Sequence, residues 1–107
     1  MKMQTEFAAD LTVQSFAYVA SQLARAAAGR TPSGQYEQIL GEAEKHRSVL
    51  RLMRRDMLEV AEQSLRRQSL SKSDCQRLRE LAARAIAEAE QAIDTIVAQY
   101  APHRMAA

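Results

Sequence analysis

The chain has 107 residues, a formal net charge of +2 and a single cysteine, Cys75. This length predicts one domain, and the lone cysteine excludes both an intramolecular disulfide and a zinc site built from cysteines. The net positive charge is much smaller than that of a dedicated nucleic-acid-binding protein. No run approaches the roughly 18 apolar residues of a membrane span, and no apolar core follows Lys2. We therefore expect a cytoplasmic protein without a cleaved secretory signal.

Two breaks divide the sequence into three predicted helices. Gly29 suits a helix C-cap, and Thr31 followed by Pro32 suits an N-cap and a first helical position. Ser71 and Asp74 have the spacing of a capping box. The chain has only three glycines and two prolines, which favours long helices. We predict helices at about residues 5–28, 32–69 and 72–100, with a disordered tail at 101–107. The sequence leaves open whether the second helix is continuous.

Each predicted helix carries an apolar stripe at coiled-coil spacing. Short breaks make successive helices antiparallel neighbours. We therefore predict an all-α fold, an antiparallel three-helix bundle made of a long helical hairpin and an N-terminal helix. The predicted stripes are Ala9, Val13, Phe16, Ala20, Leu23 and Ala27, then Ile39, Ala43, His46, Leu50, Met53, Met57 and Val60 or Ala61, then Cys75, Leu78, Ala82, Ala85, Ala89, Ala92 and Ile96, flanked by Ile86, Ile93 and Tyr100.

The stretch KHRSVLRLMRRD, residues 45–56, holds a concentrated block of arginines. A hairpin that turns near residue 71 places residues 47–55 opposite residues 87–95, which include Glu88, Glu90 and Asp94. By the same geometry Arg77, Arg79 and Arg84 come opposite Glu59 and Glu62. The favoured interpretation is therefore that the two helices neutralise each other's charges.

The same arginines support a second interpretation. Arg47, Arg51, Arg54 and Arg55 fall within about one third of the helix circumference, and such a ridge is able to contact phosphates or an acidic partner. No aromatic residue lies in this stretch to stack on bases. On this second interpretation the arginine ridge is an anion-binding surface.

Several apolar residues lie outside the core stripes. On a helical wheel Phe7, Leu11 and Tyr18 share the face opposite Phe16. Val49 and Leu52 likewise lie away from Leu50. A three-helix bundle needs one apolar face from each helix, so a second face predicts contact with a further helix, supplied by another copy of the chain or by a partner protein.

The sequence offers little support for catalysis. His46 falls within an apolar stripe and lacks the companion residues of a phosphotransfer histidine. No Glu-x-x-His pair for a di-iron bundle and no phosphate-binding glycine loop occurs. Cys75 heads the third stripe, where we expect a buried, inert thiol. We therefore expect no enzyme activity, no catalytic residue, no metal and no cofactor.

The leading functional hypothesis is a non-enzymatic protein–protein interaction module, a small helical adaptor or chaperone-like protein that forms a homo-oligomer, such as a dimer, or binds a partner helix. Its predicted interface is the set of surplus apolar residues. The alternative is an accessory nucleic-acid or polyanion-binding protein that uses the arginine ridge.

Overall fold

A computed structural model describes residues 4–26 and 32–102, and of residue 32 it describes the backbone alone. Within these residues the chain forms three α-helices and no strand: α1 at Gln4–Ala26, α2 at Pro32–Arg66 and α3 at Lys72–Gln99. All three helices pack against one another. The predicted all-α three-helix architecture is confirmed, and α2 is one continuous helix. The predicted caps at Gly29 and Thr31, and the tail from His103 onward, lie outside the described residues.

The order of contacts along α1 shows that it runs antiparallel to α2. Thr12 Oγ1 lies 3.9 Å from the sulfur of Met53. One turn further along α1, the ring of Phe16 meets that of His46 with centroids 5.4 Å apart. The contacts move toward the start of α2 as α1 proceeds, which fixes the direction of the pair.

The α2–α3 hairpin is also antiparallel. Near the turn, Cys75 Sγ donates to the Ala61 carbonyl oxygen at 3.3 Å. Far from the turn, Arg47 reaches Asp94 with an N–O distance of 2.5 Å. The register predicted by folding the chain near residue 71 agrees within one residue at Asp94, but it is wrong by six residues at Cys75, which meets Ala61 and not residue 67.

The core follows the predicted stripes with two adjustments. Ile86 and Ile93 are fully buried, whereas Leu78, Ala92 and Ile96 are only half-buried, so the buried stripe of α3 is rotated toward the residues predicted to flank it. On α2 the stripe ends on Ala61 and not on Val60. The other buried apolar residues are Ala9, Phe16, Ala20, Ile39, Ala43, Leu50, Cys75, Ala82, Ala85, Ala89 and Val97.

The predicted end of α2 at residue 69 is wrong by three residues, because the chain closes the helix at Arg66 with a Schellman motif. The amide of Ser69 donates to the Ser64 carbonyl at 2.9 Å, and the amide of Gln68 donates to the Leu65 carbonyl at 3.1 Å. Gln68 has a φ of 60°, in the left-handed region where glycine is the usual residue. A glutamine at this position gives no sequence signal for the stop.

The predicted N-cap of α3 is confirmed. Ser71 has an extended backbone, and its Oγ accepts the amide hydrogen of Asp74 at 3.1 Å. This contact satisfies one of the amides that the first turn of a helix leaves without a backbone partner.

Candidate interaction surface

Five of the exposed large apolar side chains are the ones that the helical wheel separates from the core. Together with two that the sequence reasoning missed, they are between 41% and 66% exposed. The complete set is Phe7, Leu11, Tyr18, Val49 and Leu52, with Val60 and Leu81 as the additions. The sequence does not identify Val60 as exposed, because Val60 and its neighbour Ala61 both fit the core stripe and only packing decides between the two.

Most of this surface flanks one seam, the line along which α1 packs on α2. Leu11 adjoins Thr12, which touches Met53. Val49 and Val60 lie about one and two helical turns from Met53, on either side of it and on the same flank of α2. Leu52 and Tyr18 lie further out on their own helices. We call the set Leu11, Tyr18, Val49, Leu52 and Val60 the α1/α2 face.

A shallow groove opens on the α1/α2 face near the start of α1. Its volume is about 220 Å³. The lining is mostly apolar and consists of Gln4, Thr5, Ala8, Met53, Asp56, Met57 and Val60. The two methionines are flexible side chains that adapt to an incoming apolar group. The groove therefore extends the apolar surface inward between the two helices.

The arginine ridge is neutralised from α3 at one position only. Arg47 pairs with Asp94, but Arg51 turns back along its own helix to Glu44, at 2.6 Å, and to Ser48 Oγ, at 3.0 Å. Arg55 lies 3.8 Å from its neighbour Asp56. Within the described residues Arg54 has no carboxylate within ion-pair distance. The expectation that Glu88 and Glu90 neutralise this ridge is wrong.

The predicted pairing nearer the turn is also wrong. Glu62 pairs with Arg66, one turn along α2, at 2.7 Å. Among residues 4–26 and 32–102, no ion pair joins Glu59 to Arg77, Arg79 or Arg84. For Arg51 and Glu62, a partner one or two turns away on the same helix takes the place of one on α3.

The Arg51–Glu44 contact changes the electrostatics of the exposed side of α2. The hydrogen bond and charge of Arg51 lower the pKa of Glu44 below its ordinary value, and Arg47 adds a smaller effect in the same direction. The site therefore holds a fixed ionised carboxylate beside the ridge.

A second groove separates α1 from α3 and has a polar, acidic lining. Its volume is about 370 Å³, and its carboxylates are those of Glu6, Asp10 and Glu88. Among the described residues no three His, Cys, Asp or Glu side chains are placed to hold a metal ion. The groove gives the α1/α3 side of the bundle a character different from the apolar α1/α2 face.

His46 and Cys75 are both held by backbone groups. His46 Nδ1 lies 2.8 Å from the Glu42 carbonyl oxygen, and because a carbonyl only accepts, this nitrogen carries the hydrogen. Glu42 does not pair with the ring, since its carboxylate holds Lys45 at 3.0 Å. Cys75 is buried and its thiol hydrogen bond goes to Ala61. The Cys75 hydrogen bond joins α3 to α2, and the His46 ring, held to its own helix, packs on Phe16 of α1.

Comparison with protein-family models, with curated proteins and with solved structures finds no match. In the part of the chain that the structure describes, none of the helices has the length and apolar character needed to cross a bilayer. A functional proposal therefore rests on the surface of the bundle itself.

Proposed function

We propose that this chain is a non-enzymatic helical interaction module that uses its α1/α2 face to associate with a second helical surface, either in another copy of the chain or in a partner protein. The observation that carries the proposal is the exposure of Leu11, Tyr18, Val49 and Leu52 on the two helices that line an apolar groove. Exposed apolar side chains gathered on one side of a small helical protein are typical of an interface.

The chemistry of this face supports the proposal. A helix that packs on the seam would cover side chains from both α1 and α2, and the two methionines of the groove adjust to its shape. A small domain buries only about two thirds of its unfolded surface, so association adds apolar burial that the isolated chain lacks. The polar groups around the seam, such as Asp56, would form the rim.

The test compares the wild-type chain with a variant that carries Leu11→Glu and Tyr18→Glu. We expect light scattering to show a dimer or larger species, or a pull-down to recover a helical partner, for the wild type and not for the variant. Circular dichroism should show unchanged helicity, because both side chains are exposed. The matched control carries Gln91→Glu and Gln99→Glu, which add two charges at exposed positions of α3 and leave the α1/α2 face unchanged. A wild-type monomer at high micromolar concentration that captures nothing beyond what the variant captures would contradict the proposal.

A second candidate function is polyanion binding by the arginine ridge, favoured by the unneutralised state of Arg54 and the exposure of Arg51 and Arg55. It predicts fluorescence anisotropy changes with duplex or single-stranded oligonucleotides that weaken steeply as salt rises. Arg54→Gln and Arg55→Gln should then weaken binding, whereas Arg25→Gln on α1 should not. Absence of binding at low ionic strength removes this candidate.

A further inference from the structure

The outer side of α2 carries a second stripe of exposed residues with coiled-coil spacing. Lys45, Val49, Leu52 and Asp56 follow one another at intervals of four, three and four residues. All four are exposed, and they lie on the side of α2 turned away from Leu50. Such a spacing lines up side chains along one face of a helix and is the pattern of a helix–helix seam.

The order of charged and apolar residues along this stripe is complementary to itself when two copies run antiparallel. A two-fold axis between residues 50 and 51 places Val49 against the second copy's Leu52 and Lys45 against the second copy's Asp56. The operation repeats each contact, giving two apolar contacts in the centre and an opposite-charge pair on either side. An isologous interface joins the same surface patch of two copies, so that patch must be complementary to itself.

The charge of the whole hairpin divides at the same place. The half nearer the turn, residues 51–84, holds nine lysines and arginines against five acidic residues. The other half, residues 32–50 and 85–102, holds two basic residues against six acidic ones. Antiparallel association lays each basic half along an acidic half of the other copy, whereas parallel association places like charges side by side.

We propose that the occupant of the α1/α2 face is a second copy of this chain, bound antiparallel along the stripe Lys45, Val49, Leu52 and Asp56. This inference rests on the proposed function and names the partner and its direction. Leu11 and Val60 flank the same stripe and widen the contact. The acidic and basic halves of the hairpins set the orientation, and the central apolar residues supply most of the buried area.

Charge exchange between Lys45 and Asp56 tests the inference. Sedimentation equilibrium at low salt would be run on the wild type, Lys45→Glu, Asp56→Lys and the double variant. Each single change turns two attractive pairs of the dimer into repulsive ones, and we expect the dimer Kd to rise about tenfold. The double variant restores both pairs with exchanged sign, and its Kd should return to within about threefold of wild type.

Restoration in the double variant has to come from a second molecule. Within one chain the two residues are eleven positions apart, about 16 Å along α2, and do not touch. The dimer Kd could be unchanged in both single variants, while the variant with Leu11→Glu and Tyr18→Glu is monomeric. That result would overturn the antiparallel stripe and leave the proposed function standing. A wild-type chain that stays monomeric to about 500 µM, far above the Kd of a specific complex, would overturn the second copy as the occupant.

A distance measurement tests the direction separately. On a Cys75→Ala background, Ser69→Cys gives one exposed spin-label site near the hairpin turn. Antiparallel association about residues 50 and 51 predicts a label separation of about 50 Å, because each label lies some eighteen residues from the axis at 1.5 Å per residue. A separation below about 30 Å means a parallel dimer and overturns the proposal.

Discussion

Arg47 and Asp94 form the only ion pair that joins two different helices among residues 4–26 and 32–102. The guanidinium nitrogen lies 2.5 Å from the carboxylate oxygen, and the Arg47 side chain is only 23% exposed. Arg47 also approaches Glu44 at 3.8 Å. The pair therefore links α2 to α3 at the end of the hairpin away from the turn, at a position where solvent screening is incomplete.

A double-mutant cycle on this pair should give a measurable coupling. Arg47→Gln, Asp94→Asn and the combination, compared by urea unfolding, are expected to show about 0.5–1 kcal/mol of interaction free energy, near the upper end for surface pairs because the arginine is partly buried. The matched cycle on Arg55 and Asp56, both exposed, should give a value near zero. A coupling at Arg47 no larger than that of the control would show that the contact contributes nothing to stability.

Replacing Gln68 with glycine should stabilise the protein. The left-handed conformation costs a non-glycine residue about 1 kcal/mol, and the Schellman motif needs that conformation here. We expect Gln68→Gly to raise the free energy of unfolding by about 0.5–1 kcal/mol, measured by thermal or urea unfolding. Arg67→Gly, one residue earlier and outside the left-handed region, should destabilise instead. Equal effects at the two positions would argue against the described turn.

Loss of the α3 N-cap should destabilise the hairpin. Ser71→Ala removes the hydroxyl that accepts the Asp74 amide, and we expect a loss of about 1 kcal/mol in urea unfolding. Ser73→Ala, two residues into the same helix, serves as the control and should change stability by less than about 0.5 kcal/mol. Ser71→Asp should keep most of the stability because a carboxylate also caps an N-terminus. If alanine and aspartate behave alike at position 71, the cap does not act as described.

The titration of Glu44 should report its contact with Arg51. The pKa of this carboxyl is lowered, chiefly by the Arg51 hydrogen bond and charge. Because the folded-state pKa lies below the unfolded one, the contact stabilises the protein above the unfolded pKa, and this stabilisation disappears as pH falls through the folded pKa. In an NMR titration, Arg51→Gln should move the pKa of Glu44 up toward its ordinary value. Arg54→Gln should leave it unchanged, and a shift of equal size would show that general charge, not the contact, lowers it.

The sequence was sufficient to predict the helices and the separation of inner from outer apolar residues. Phe16 and Tyr18 are only two positions apart, yet helical periodicity assigns one to the core and the other to solvent, and the structure agrees. Ser71 was predictable as a cap because its side chain acts over three residues of sequence. These features depend on local geometry, which one sequence contains in full.

Features that depend on competition between alternatives were not predictable. Arg51 has Glu44 two turns away on its own helix, and the predicted hairpin also places acidic residues of α3 opposite it; the sequence does not rank these partners. The end of α2 depends on Gln68 accepting a backbone conformation that its side chain disfavours. The buried stripe of α3 is rotated toward Ile86 and Ile93 because α3 packs on both α1 and α2. This rotation depends on packing in three dimensions.

The unequal lengths of the helices divide the hairpin into two regions. In the described part of the chain, the first turn of α1 lies beside Met57 and Val60 on one side and Ala85 on the other. Of the described residues, only the final turns of α2 and the first turns of α3 continue past this level, where they pack on each other. Each helix there packs on one described neighbour and not on two, so its backbone amide hydrogens should exchange with solvent through local opening, well before those around Leu50 and Ile93.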